Sequence, residues 1–323
     1  MRMLKSHHFY KGFMSAILSK IPQRAALANT IAELLDIDKD AVYRRLRGEV
    51  NFSFIEMATI AKKLGVSLDS IVEIESMQSR PTQVIMTKHV NPSELDYKMF
   101  NDYVNLLKFI KDEPNTKLME SGATLPHNLF YDYEYFTRFY IFCWNQASND
   151  GNKMPFSEII IPERMLALQK DCCMYSRDIK HTVYVWDRMI FQRLVSNIIF
   201  FAKLRLIAEK EVALIKNDMI ELLKHLERLA ITGKHDETGN KVSIYISDLY
   251  LVTNYICIES KNLSISQFKT FLLNAVAALD KEVYEEVKSW ITNIQSMATL
   301  ISVSSEKIRT EFFNTQRNII NTL

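Results

Sequence analysis

The amino-acid sequence predicts a mainly α-helical protein in two parts: a small N-terminal module of five short helices, and a larger helical region carrying one small β-hairpin. Three observations lead there. Glycine and proline are sparse, seven of each in 323 residues, and no proline follows Pro162, so the second half can sustain long helices. Apolar residues recur three and four apart through much of the chain. Between His8 and Glu75 helix start and stop signals follow one another in close succession.

Each helix of the module has its own local signal. Phe9 to Leu18 aligns Phe9, Phe13, Ala16 and Ile17, and Pro22 follows its end. Ala26 to Leu35 carries Leu27, Ile31, Leu34 and Leu35, and Asp36-Ile37 forms a tight turn to the next helix. Asp38 is placed to cap that third helix. Within it Val42 and Leu46 face inward, Lys39, Asp40, Tyr43, Arg44 and Arg47 face away, and Gly48 ends it. Ser53-Phe54-Ile55-Glu56 is a capping-box sequence opening a fourth helix that stops at Gly65. Ser67 starts a fifth, through Ile71 and Val72.

Charge marks the same segment. Residues 1–50 hold nine Lys/Arg against five Asp/Glu, while the whole chain is only +2, so the basic excess sits in the module. Two short helices joined by a tight turn, the second with a face of long basic side chains, is the arrangement that sets a recognition helix in the major groove.

The stretch Ile31 to Gly48, continued by Ala61 to Asp69, resembles the phage-repressor or XRE family of helix-turn-helix domains, over about a fifth of the chain. The resemblance implies a five-helix, lambda-repressor-like fold, double-stranded DNA as partner, and a transcriptional regulator as function. It implies that Lys39, Asp40, Tyr43 and Arg44 reach base edges. Arg45, Arg47, Asn51 and Ser53 would lie near the DNA backbone, Arg47 within reach of either. Two positions depart from the family pattern: Ala28 stands where a backbone-contacting glutamine is common, and Leu46 replaces the glutamate that often precedes Arg-Gly. For Arg44 the chemistry is specific, because a guanidinium bonds guanine O6 and N7 together. Phosphate contact by Arg45 or Arg47 needs only charge and reach.

Beyond the module, residues 76–95 read as a linker with a short extended stretch at Gln83 to Met86, and 96–323 as the larger domain. Asp96 to Lys111 is expected to be helical, and Pro114 to Pro126 breaks the pattern. Nine of the fifteen residues Phe130 to Trp144 are aromatic, on every side of a helix. This predicts a helix buried at the domain centre ahead of an effector pocket lined by aromatic rings. His181 to Thr232 is expected to form one or two long helices. In it Val212, Ile215, Met219, Leu222, Leu226 and Leu229 make a heptad seam, read as internal packing ahead of dimerisation because Ile220, Leu223 and Ala230 widen the apolar face. Val242 to Ile246 and Tyr255 to Ile258 are expected to pair as the hairpin. Helix resumes after a second capping-box sequence, Ser264-Ile265-Ser266-Gln267, then over Asp280 to Thr299 and Ser305 to Ile320.

Composition and motifs exclude several functions. Nearly half the residues are hydrophobic and a quarter charged, as in a globular chain. The glycines stand too far apart to cradle a phosphate. Cys143, Cys172, Cys173 and Cys257 lack metal-site spacing and fit a reduced, cytoplasmic setting. Neither Met1 to His8 nor the most apolar stretch, Met189 to Ala208, has the character of a signal or membrane segment. The histidines, apart from His7-His8, have no metal-ligand spacing, and no serine or cysteine sits in a nucleophile motif. The expectation is therefore a non-enzymatic regulator without metal or cofactor. It would be a homodimer whose C-terminal region dimerises and senses a small molecule or peptide. The alternative is a protein-interaction scaffold whose helix-turn-helix no longer binds DNA.

Overall fold

A computed structural model of the chain describes residues 2–66, 68–71, 88–148, 153–261, 263–270, 274–278 and 281–323. Side-chain surroundings are described from Phe9 onward, except at residues 69, 70, 148, 270 and 274. The expected cap at Ser67, the end of the fifth helix at Val72, the stretch Gln83 to Met86, most of the linker and the side chains of His7 and His8 lie outside these residues. The chain divides into two compact units, Met1–Thr82 and Gln83–Leu323.

The first unit contains α1 (Arg2–Lys20), α2 (Arg24–Leu35), α3 (Lys39–Leu46), α4 (Phe54–Leu64) and α5 (Leu68–Ile71). Phe13 and Ile17 of α1, Leu27, Ala28 and Ile31 of α2, Val42 and Leu46 of α3, Phe52, and Ile60 and Ala61 of α4 form one buried core. Gly12 lets α1 approach α5, since an added Cβ would lie 2.9 Å from Ile71 Cγ2.

The second unit is an α/β structure, which corrects the expectation of a helical domain with a small hairpin. Its helices are α6 (Glu94–Ile110), α7 (Glu134–Ser148), α8 (Glu163–Arg177), α9 (Gln192–Lys203), α10 (Glu209–Thr232), α11 (Lys281–Met297) and α12 (Glu306–Ile320). They enclose a seven-stranded mixed sheet in the order β6-β5-β4-β1-β2-β3-β7. The strands are β1 (Lys117–Gly122), β2 (His181–Asp187), β3 (Lys241–Ser247), β4 (Tyr255–Glu259), β5 (Ser264–Thr270), β6 (Asn274–Ala278) and β7 (Thr299–Leu300). β1, β2 and β3 run parallel, with α7 and α8 in the first crossover and α9 and α10 in the second. β4, β5 and β6 continue from β1 as an antiparallel meander, and β7 pairs antiparallel with β3.

β3 and β4, expected to pair as a hairpin, are not neighbours. β3 lies between β2 and β7, and β4 between β1 and β5. The segment expected as long helix from His181 instead begins with β2. The apparent capping box at Ser264 to Gln267 instead opens β5, where β4 pairs with all four residues and β6 with Ser266 and Gln267.

One face of the sheet packs against α6, α7, α8, α9, α10 and α12, in a core containing Leu118, Tyr184, Ile244 and Ile258. The other face puts Met119, Val183, Val185 and Cys257 against Tyr284, Val287, Ile291 and Ile294 of α11. As the aromatic run predicts, α7 is central: Phe136, Phe139, Tyr140, Phe142 and Trp144 are buried. The Asp218 carboxylate of α10 accepts from the Tyr135 and Phe136 amides, 2.7 and 3.0 Å, and so closes the first turn of α7. The α10 seam is spent inside the unit, with Ile215, Met219, Leu222, Leu226 and Leu229 all buried.

Candidate nucleic-acid interface

The candidate interface is built on α3, and the turn before it fixes how that helix leaves α2. Asp36 adopts a left-handed conformation, φ 52°, and its N–H bonds Ala32 O. Asp tolerates that region better than most residues, and the reversal delivers Ile37 to the module core. Asp38 occupies the position before α3 in extended conformation, but its side chain makes no capping hydrogen bond. Gly48, at φ 78°, ends the excursion.

Val42 and Leu46 are buried and hold α3 by one side. Lys39, Asp40, Arg44 and Arg47 are exposed on the other, with Tyr43 half-buried at the edge of the core. Five of the eight expected site residues therefore share one accessible helix face. The Arg44 side chain is 60% exposed, and its Nε lies 3.6 Å from Glu49, the carboxylate that also bonds Arg47 at 2.5 Å. Glu49 thus pairs with both arginines of this face, while Leu46 is buried in the core. Hydrogen bonding to Arg47 holds the Glu49 carboxyl below its ordinary range.

Arg45 is different. Its side chain is only 19% exposed and turns toward α4, where Nη2 donates to Glu56 Oε1 at 2.9 Å. Nη1 donates to Ala41 O at 3.2 Å, and the guanidinium lies 5.8 Å from the Phe52 ring centre. Glu56 at the same time completes the capping box of α4, accepting from the Ser53 N–H at 2.6 Å while Ser53 Oγ accepts from the Glu56 N–H at 3.2 Å. Burial alone would raise the Glu56 pKa. The Ser53 bonds and Arg45 outweigh it, and the carboxyl sits below its ordinary value.

Ser53 is therefore the cap of α4, and Asn51 is exposed in the loop before it. That loop is tied to α1 by Tyr10, whose hydroxyl donates to Arg45 O at 3.0 Å and accepts from the Phe52 N–H at 3.3 Å. Ala28 is wholly buried, so this position serves packing in this chain.

Sequence reading missed two features. Phe54 and Ile55, at the start of α4, are 74% and 77% exposed. The signal was available, since the two residues following a helix cap precede the first inward-facing position. At the start of α2, Gln23 makes no side-chain cap, and Arg24 stands exposed beside first-turn amides that carry no acidic neighbour.

Among the described residues no group of His, Cys, Asp and Glu could hold a metal ion, and no helix is long and apolar enough to cross a membrane. No curated protein and no solved structure matches the chain. Residues 18–96, which include α3, match the BetR domain, a DNA-binding family that contains a helix-turn-helix, and the match suggests a DNA-binding regulatory role.

Proposed function

We propose that the chain is a cytoplasmic, sequence-specific transcriptional regulator of the phage-repressor type and not an enzyme, with α3 entering the major groove of double-stranded DNA. The observation that carries this reading is the division of α3 into a buried side, Val42 and Leu46, and an exposed side of Lys39, Asp40, Arg44 and Arg47. In the complex Arg44 takes a guanine edge, Lys39, Asp40 and Tyr43 read the adjoining base edges, and Arg47 and Asn51 lie against phosphate. Glu49 must release Arg44 and Arg47 as they turn to the DNA, which is inexpensive for exposed ion pairs. Arg45 and Ser53 act by holding α3 and α4 together.

One module reads only a few base pairs, so the regulator acts as a homodimer on a two-fold related site, with the second unit supplying dimerisation and signal sensing. The α10 seam is committed to internal packing, so dimerisation uses another surface. Selection of the full chain against random-sequence duplexes tests the reading: an enriched, two-fold related motif is the expected result. The scaffold reading draws on the exposed Phe54 and Ile55, which offer a protein contact beside α3. Failure to enrich any motif would favour it.

A further inference from the structure

The second unit contains a cavity of about 200 Å³ between α6, the segment around His127 to Tyr131, and the sheet. Its floor includes Glu120 of β1 and Lys269 of β5, whose side chains are 6% and 7% exposed and meet at 2.6 Å. Asn254 donates to the same Glu120 oxygen at 3.2 Å. Asn254 is itself fixed, since its Nδ2 also donates to Thr124 O at 2.9 Å and its Oδ1 accepts from the Thr124 N–H at 3.2 Å. Gly122 leaves room for it: an added Cβ would come within 2.1 Å of the Asn254 side chain.

A buried ion pair is a poor source of stability, because desolvation of both charges offsets their attraction and apolar residues of similar volume do as well. On the cavity side of the sheet this pair sits with Gln267 between the apolar side chains of Leu118 and Ile256. Its chemistry suits a ligand better than a core. Lys269 carries three donors, of which Glu120 takes one. His89, in the cavity wall and 1% exposed, has no hydrogen-bond partner at either ring nitrogen. Its ring contacts are edge-on to Phe100 and Trp144. A neutral imidazole offers one donor and one acceptor, and buried polar groups without partners are rare.

We propose that this cavity binds a free amino acid with an apolar side chain, its carboxylate on Lys269, its ammonium on Glu120 and its side chain among Phe100, Tyr103 and Tyr131. Three observations select that class. The floor pair sums to zero charge, so a ligand of either net charge would leave a buried charge uncompensated, whereas a zwitterion matches both members. Away from the floor pair the walls are mostly apolar, with Phe100, Tyr103 and Tyr131 beside Met99, Leu118 and Ile256, and Asn128 and Gln267 as polar members. The volume is below the roughly 300–1,000 Å³ of pockets that take drug-sized molecules. His89 supplies the remaining polar partner on the ligand's headgroup. The site stands whether or not the first unit binds DNA.

Calorimetric titration of the full chain tests it with apolar and aromatic L-amino acids, each used singly. For the best binder, the same body is then supplied without its ammonium, as the carboxylic acid, and without its carboxylate, as the amine. The expected result is saturable binding of at least one amino acid, with each singly charged analogue weaker by about tenfold or more through the loss of a charge-assisted bond. The paired substitution Glu120→Gln with Lys269→Met leaves no lone buried charge and should abolish binding. No binding by any amino acid at millimolar concentration would overturn the proposal, as would equal binding of the singly charged analogues. Both of those outcomes are read on the native protein, so they do not depend on the variant folding.

Discussion

Arg44 and Arg45 are neighbours of identical chemistry with opposite assignments. Successive residues on a helix point about 100° apart, which sends Arg44 to solvent and Arg45 to Glu56. Arg45→Ala strips a guanidinium from a partly buried carboxylate that also caps α4, and should lower the stability of the module by about 1–2 kcal/mol. Arg44→Ala, at an exposed site, should change it by less than about 0.5 kcal/mol. Denaturant unfolding of the two variants checks the pair, and equal effects would refute the division. The exposed face of α3 was legible because Val42 and Leu46 set its inward direction. The role of Arg45 was not, because its partner Glu56 lies on the next helix, where helical spacing gives no guide.

At the scale of elements, the module was readable because each helix carries its own signals. Gly48 and Gly65 do adopt positive φ, and Ser53 with Glu56 does form the capping box. The sheet was hidden for a physical reason. β1 and β2 are covered on both faces, so nearly every residue is buried and the alternation that marks a half-exposed strand is absent. β1 also carries Glu120, which reads as a break in an apolar run. β5 does alternate, with Gln267 on the cavity side and Phe268 against Tyr255 on the α11 side. Pairing with β4 along the strand, and with β6 from Ser266 on, decided its conformation over the local Ser-Ile-Ser-Gln pattern. The α10 seam yields a prediction of its own: Leu222→Ala should cost roughly 2–5 kcal/mol as a core truncation and leave the oligomeric state unchanged. Sedimentation of the variant alongside its unfolding curve separates this from a dimer seam, whose loss would dissociate the protein.

For the whole molecule, the two units differ in how sequence specifies them. The first is built from neighbouring segments. The second depends on strands brought together from distant parts of the chain, β1 beside both β2 and β4, and no local pattern announces such pairings. The second unit also carries an acid sensitivity. Burial pushes His89, His181 and His235 down to about 4. An unfolded histidine titrates near 6.5, so between about 6.5 and 4 the unfolded chain binds protons that the folded unit does not. The stabilising contribution of these residues is full above about 6.5 and is lost as pH falls toward 4. The melting temperature of the second unit should therefore fall from pH 7 to pH 5, and His89→Phe should remove part of that fall. A melting temperature unchanged across the interval would contradict their burial as neutral rings.

DNA reading by the whole molecule rests on the exposed face of α3. Fluorescence anisotropy with the duplex recovered by selection tests it most directly, using native chain and Arg44→Ala at two salt concentrations. The native chain should bind tightly, with an affinity that weakens steeply with salt through release of counterions from phosphate. Arg44→Ala should lose roughly 1–3 kcal/mol of base discrimination while its fold is kept. Native binding no tighter than to a scrambled duplex, or full base preference retained by Arg44→Ala, would contradict it.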